Sequence, residues 1–197
     1  MSDSSNKQPH SIPNHFTREM LDWLPWLQPL QENELDDHTR QALVDQARAK
    51  SSYFMLLARD PDILEARTRA DKDIFYNTVD GLPRAERELA ATATSRYNGC
   101  IYCASVHARH SAHYSKRVDD VDKLLNEGTN IHLDERWDAI IEASVALTQT
   151  PIAFSNYNID KLKKAGLSDD EIFDVIHASA FFNWANRLML SLGEAAL

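Results

Sequence analysis

The stretch Glu88-Leu-Ala-Ala-Thr-Ala-Thr-Ser-Arg-Tyr-Asn-Gly-Cys100-Ile-Tyr-Cys103-Ala-Ser-Val-His107 decides the fold. Pro83 opens a helix that continues through Glu86, Glu88, Leu89 and Ala93 to about Tyr97. Asn98-Gly99 breaks it, because glycine adopts the left-handed conformation that ends helices. Residues 100–115 then hold good helix formers and no breaker. The pattern predicts two helices joined by a tight turn, with a Cys-x-x-Cys pair in the first turn of the second.

That placement carries chemistry. A thiol reacts as its thiolate, and an unperturbed thiol with a pKa of about 8.5 is mostly protonated at neutral pH. The partial positive charge of a helix N-terminus favours the thiolate. His107 lies four residues after Cys103, on the same helix face. Glu88, from the preceding helix, can orient the imidazole or accept a proton if the turn folds the helices together. This spacing makes Cys103 the attacking thiol and Cys100 the resolving one, although analogy with thioredoxin points to the first cysteine as attacker. Oxidised Cys103 would be a sulfenic acid that Cys100 condenses with to a disulfide.

The rest of the chain reads as helix around this segment. Five glycines and seven prolines in 197 residues are few for a sandwich or barrel, so an all-α fold is expected. Residues 1–14 read as a flexible arm, and residues 15–197 as one domain. A short bent helix is expected from Thr17, with Met20, Leu21, Trp23, Leu24, Trp26 and Leu27 apolar and Pro25 at the bend. So large an apolar surface must be buried, against the body or another subunit. Residues 34–49 read as helical, with Leu35, Leu43 and Val44 inward, and Ser52–Ala58 as a helical turn. Asp60-Pro61 is a cap followed by a first-turn proline. That helix is expected to reach about Val79 with Ile63, Leu64, Ala70, Ile74 and Phe75 inward.

Asp119–Asn126 is a short helix stopped by Gly128. Asp134 caps a helix to about Thr148. Another helix covers Asn158–Ala165, and Ser168 with Glu171 forms a capping box. The apolar pattern runs on from there through Phe181, Phe182, Trp184 and Leu188, as one helix or two. No strand-like alternation of useful length is visible.

Charge and composition exclude several classes. Thirty acidic residues against 21 basic ones give a net charge of −9, which disfavours nucleic acid and anionic membranes as partners. No apolar run approaches a membrane span, since the longest candidates carry Glu142, Asn183 or Arg187. The polar N-terminus lacks the apolar core of a signal peptide, so a cytoplasmic location is expected. No nucleotide or flavin fingerprint occurs, so no cofactor is expected and electrons must come from a partner.

Glu, eleven residues, Cys-x-x-Cys, three residues and His is similar to the signature of the AhpD-like alkylhydroperoxidases of the carboxymuconolactone decarboxylase superfamily. The surrounding helices, about 50–130, and the run Phe181-Phe-Asn-Trp-Ala-Asn-Arg187-Leu resemble the longer, peroxidase-related subgroup. The resemblance implies an all-α fold that forms trimers or hexamers. It also implies a thiol peroxidase without metal or flavin, acting on a small hydroperoxide and reset by an external thiol or dithiol reductant. It makes Cys103 peroxidatic and Cys100 resolving, with Glu88 and His107 as a proton relay. One departure is Tyr102, where well-known members carry His. A phenol with a pKa near ~10 is a poor proton acceptor at neutral pH.

Other readings stay open. Cys100, Cys103 and His107, with Glu88, His110 or His113, are a possible zinc set, though no second Cys-x-x-Cys completes a structural site. The fold also serves decarboxylase-type proton transfer, and a thiol pair also serves a redox-sensing oligomer. His177 is a candidate for the shell behind the site. His110 and His113 read as surface or interface residues, and Asn183, Asn186 and Arg187 as capping or subunit contacts.

Overall fold

The computed structural model describes residues 11–77 and 79–197. Most of the expected N-terminal arm, residues 1–10, lies outside the described residues. Of its last part, Pro13 is buried, and Ser11 accepts a 3.0 Å hydrogen bond from the Leu197 N–H.

The helices, numbered in chain order, are α1 (Asp37–Ala42), α2 (Ser52–Leu57), α3 (Pro61–Tyr76), α4 (Arg84–Asn98), α5 (Ile101–Ser115), α6 (Val118–Glu127), α7 (Glu135–Thr148), α8 (Asn156–Lys164) and α9 (Asp169–Leu192). The fold is all-α, as the sequence predicts, with α4 at its centre. Every residue of α4 from Glu86 to Ser95 is buried. The small residues Ala90, Ala91, Thr92, Ala93, Thr94 and Ser95 make this possible, because they let α5, α7 and α9 approach the backbone closely. Hydroxyls in this interior turn back onto the helix; Thr92 Oγ1 donates to the Glu88 carbonyl at 2.7 Å.

The turn between α4 and α5 forms as its residues predict. Gly99 is left-handed (φ 82°), and the N–H groups of Gly99 and Cys100 both reach the Ser95 carbonyl. Cys100 is the N-cap of α5. The caps of the other long helices also match. Asp60 accepts from the Ile63 N–H, Asp134 from Arg136 and Trp137, and Ser168 from Glu171. The capping box at Ser168 starts one unbroken 24-residue helix.

Three expectations are corrected. The bent helix from Thr17 is absent; Asp22–Pro25 forms a strand, β1, antiparallel to β2 (Gly193–Ala196). Trp23 from β1 is buried edge-on against Tyr53, with ring centroids 5.3 Å apart. Met20, Trp26 and Leu27 stay exposed in the described chain. Residues 34–49 break into 3-10 turns around the short α1, because Asp36 caps α1 and Val44 turns left-handed at φ 63°. Leu35 and Leu43 are nevertheless buried in a second small core with Met55 and Leu64.

The third correction is the inward face of α3. Leu64 and Phe75 are buried, but Ile63 and Ala70 are exposed, and Arg67 and Thr68 take the interior positions. A charged residue was the inward one, which hydrophobic spacing does not register. Among the described residues, no helix is long and apolar enough to cross a membrane.

Candidate active site

The helical hairpin brings Glu88, Cys100, Cys103 and His107 together. The two cysteines are free thiols, both buried, with Cys103 Sγ 2.8 Å from Cys100 Sγ. Cys103 Sγ also lies 3.3 Å from Met189 Sδ on α9. His107 Nδ1 and a Glu88 carboxylate oxygen are 2.6 Å apart. Glu88 is 1% exposed, and its other oxygen accepts from Arg84 Nε at 3.1 Å. The imidazole packs against both Phe182 and Phe75, with centroids at 3.9 and 5.3 Å.

A cavity of about 170 Å³ joins these groups. Cys103, Glu88 and His107 line it, with Arg67 and Arg84, the rings of Tyr53, Phe75 and Phe182, and Tyr102 and His110. Cys100 does not line it. A second cavity of about 190 Å³ reaches Cys100, past Trp23, Trp26 and Gly193. The pair therefore touches two chambers, with Cys103 in the one that holds Glu88 and His107.

The thiols differ in acidity. Hydrogen bonding with the side chain and backbone of Cys103 holds the Cys100 thiol below its ordinary range, against its burial; Asn186 helps. Burial pushes the Cys103 thiol well up. Cys100 is thus the more acidic thiol of the pair and Cys103 the less acidic. His107 makes its hydrogen bond to Glu88, not to Cys103, so the one-turn spacing does not by itself activate Cys103. Burial disfavours ionised Glu88, but the hydrogen bond and charge of His107, then His110 and Arg84, hold its carboxyl below the usual range. Burial raises Tyr102, leaving a neutral phenol at the boundary of both chambers.

Several residues fall elsewhere than expected. His177 is exposed, tilted against Phe173 with ring centroids 4.4 Å apart, and does not join the site. It lies on the face of α9 turned away from Phe182. His113 is exposed beside Tyr114. His110, expected at the surface, lines the cavity; residues three apart share a helix face, so His107 already indicated it. Asn186 is fully buried, donates to Ser95 Oγ at 3.0 Å and accepts from Asn98 at 3.2 Å. It braces the hairpin turn beneath Cys100 rather than capping a helix. Asn183 accepts from Asn98 and Arg187. Among the described residues no group of three His, Cys, Asp or Glu side chains is placed to hold a metal ion.

An all-α scaffold with a buried dithiol at a helix start and a carboxylate–imidazole pair beside it defines a class of helical thiol proteins. Residues 61–143 match the model of the carboxymuconolactone decarboxylase family. No curated protein matches the sequence significantly. Solved structures share the fold. An uncharacterized peroxidase-related protein with an AhpD core from Ralstonia eutropha JMP134 has a TM-score of 0.70 at 22% identity, over 88% of this chain and 90% of that one. A peroxidase-related protein from Silicibacter sp. TM1040 also has a TM-score of 0.70 at 22% identity, over 85% and 88%. The debrominase Bmp8 has a TM-score of 0.65 at 17% identity, over 84% and 89%.

Proposed function

We propose that the protein is a thiol-dependent peroxidase that reduces hydrogen peroxide or organic hydroperoxides through Cys100 and Cys103. The observation that carries this reading is the free thiol pair, 2.8 Å apart, with Cys103 opening into the cavity that holds the Glu88–His107 pair.

The chemistry follows from the proton positions. The dithiol gives one proton to His107, and the remaining proton sits on Cys100, which leaves the thiolate on the cavity side. Cys103 sulfur attacks the terminal oxygen of the hydroperoxide, forming an S–O bond as the O–O bond breaks. The leaving alkoxide takes that proton back from His107, which Glu88 orients. Cys100 sulfur then attacks the sulfenic sulfur. The departing hydroxide takes the Cys100 proton and leaves as water, and the disulfide forms. An external dithiol supplies two electrons and two protons to reopen it. Tyr102 stays neutral and serves as a donor, not as a base.

Hydroperoxide consumption with a dithiol reductant, on metal-stripped protein, tests this. The wild type should turn over. Cys103→Ser should not, and Cys100→Ser, reduced and then freed of dithiol, should consume one equivalent and hold a trappable sulfenic acid. Full turnover by Cys103→Ser would exclude the mechanism.

A second reading places the same two electrons into a carbon–halogen bond. The aromatic cavity and the fold shared with the debrominase favour it. Halide release from a bromoaromatic substrate, without hydroperoxide turnover, would select it.

A further inference from the structure

The cavity contains a cation that the peroxidase steps do not use. Arg67, on α3, is 8% exposed, and its guanidinium lies 5.5 Å from the Phe54 ring and 5.3 Å from the Phe181 ring. Among the described residues, its Nε and Nη1 have no hydrogen-bond partner. The hydroxyl of Tyr53, a neighbour in the same cavity and 5% exposed, has none either. An arginine stays charged in any environment, and buried donors normally find acceptors.

The nearby carboxylates are already shared. Asp71 lies 3.5 Å from Arg67 and 4.0 Å from Arg48, outside hydrogen-bond geometry for both. Glu88 is taken by Arg84 and His107. In the cavity lining Asp71 and Glu88 balance Arg67 and Arg84, so what is left over is hydrogen-bonding capacity: two Arg67 nitrogens and the Tyr53 hydroxyl. These groups line the same cavity as Cys103, whose other walls are largely aromatic.

We infer that Arg67 and Tyr53 form the seat for an anionic group of the substrate. A guanidinium with unused N–H groups beside an unused O–H suits a carboxylate, which can accept from both. The aromatic walls suit a small apolar body between that carboxylate and the reacting oxygen. The substrate class then narrows to hydroperoxides of small organic acids, with the carboxylate on Arg67 and the O–O bond at Cys103. This rests on the peroxidase reading for the reacting group, but the seat itself does not.

Two alkylating agents of matched size test the seat without any turnover. Iodoacetate carries a carboxylate where iodoacetamide carries a neutral amide. Both consume the same thiolate, so their rate ratio at Cys103 cancels any effect of Arg67 on the thiol itself. The ratio, read from the Cys103 peptide by mass spectrometry, should fall about tenfold in Arg67→Gln and be largely kept in Arg67→Lys. An unchanged ratio in Arg67→Gln overturns the inference.

A wild-type measurement covers the case in which the variants fail to fold. Benzoate should slow iodoacetamide labelling of Cys103, and benzamide at the same concentration should not. Equal protection, or none, overturns the seat. Charge-selective labelling in a protein that reduces no hydroperoxide would defeat the peroxidase reading and leave the seat standing.

Discussion

Glu88 on α4 and His107 on α5 meet at 2.6 Å, with the carboxylate 1% exposed and the imidazole wedged against Phe182. The contact fixes which imidazole nitrogen is occupied. Nδ1 faces Glu88, so Nε2 is the nitrogen left for proton exchange with a substrate. Proton-transfer groups of this kind typically contribute 10²–10⁴-fold. Glu88→Gln keeps the shape but loses the charge, and should lower kcat for hydroperoxide by about 100-fold or more with a smaller change in KM. A variant with unchanged kcat would remove Glu88 from the proton path.

The same pair sets a pH dependence of stability. The Glu88 carboxyl is held below its ordinary value of 4.5 in the folded chain, chiefly by His107 working against burial. A depressed folded value means the unfolded chain binds the proton more readily. The stabilisation is therefore complete above the ordinary value and is lost as pH falls through the depressed one. Asp134 and Glu171 behave likewise, so the informative quantity is a difference. Thermal unfolding of wild type and Glu88→Gln between pH 7 and pH 3 should show the wild type losing more. Parallel curves would show that Glu88 carries no such linkage.

The two thiols should titrate in the order Cys100, then Cys103. The largest influence lowering Cys100 is hydrogen bonding with the Cys103 side chain, and the largest raising Cys103 is burial. Iodoacetamide labelling across pH, followed by peptide mapping, should modify Cys100 first. Cys103→Ala removes that partner, so the labelling midpoint of Cys100 should move to higher pH. First labelling of Cys103 would reverse the order of acidity.

Phe182 ties stability to the site. It is 4% exposed, contacts the His107 ring at 3.9 Å and meets Phe75 edge-on at 5.5 Å. Phe182→Ala should cost about 3–5 kcal/mol of stability, read from denaturant unfolding. It should also lower kcat in the fraction that stays folded, because the imidazole loses its wall. Phe182→Leu fills most of the space and should recover stability more fully than kcat. Equal recovery of both would make Phe182 a packing residue alone.

Local signals account for what was legible in the sequence. The α4–α5 turn depends on Gly99 and its neighbours, and the caps at Asp60, Asp134 and Ser168 are each settled within four residues. The cysteine pair, Glu88 and His107 sit on that one hairpin, so their proximity followed from it. What was missed comes from distant partners. Arg67 and Tyr53 reach the cavity from helices whose docking no local pattern reveals. Asn186 meets Ser95 and Asn98 from 91 and 88 residues away in the sequence. The residues around Trp23 became a strand because their partner is Gly193–Ala196, at the other end of the sequence.

That late pairing depends on Gly193, and for a reason that differs from the usual one for glycine. Its φ of 176° is open to any residue. The constraint is space, since an added Cβ would lie 2.3 Å from the Leu24 carbonyl oxygen and 2.4 Å from the Trp23 ring. Neither neighbour can move without separating β1 from β2. Gly166 provides the contrast, with φ 86° and nothing within 4 Å of the added Cβ. Gly166→Ala pays conformational strain alone, on the order of 1 kcal/mol. Gly193→Ala pays for overpacking, about 1–3 kcal/mol, and should displace Trp23 from Tyr53. Because Trp23 and Gly193 line the chamber that reaches Cys100, the same variant should speed alkylation of Cys100 more than that of Cys103. If Gly193→Ala unfolds like the wild type and labels like it, the two strands are not what closes that side of the thiol pair.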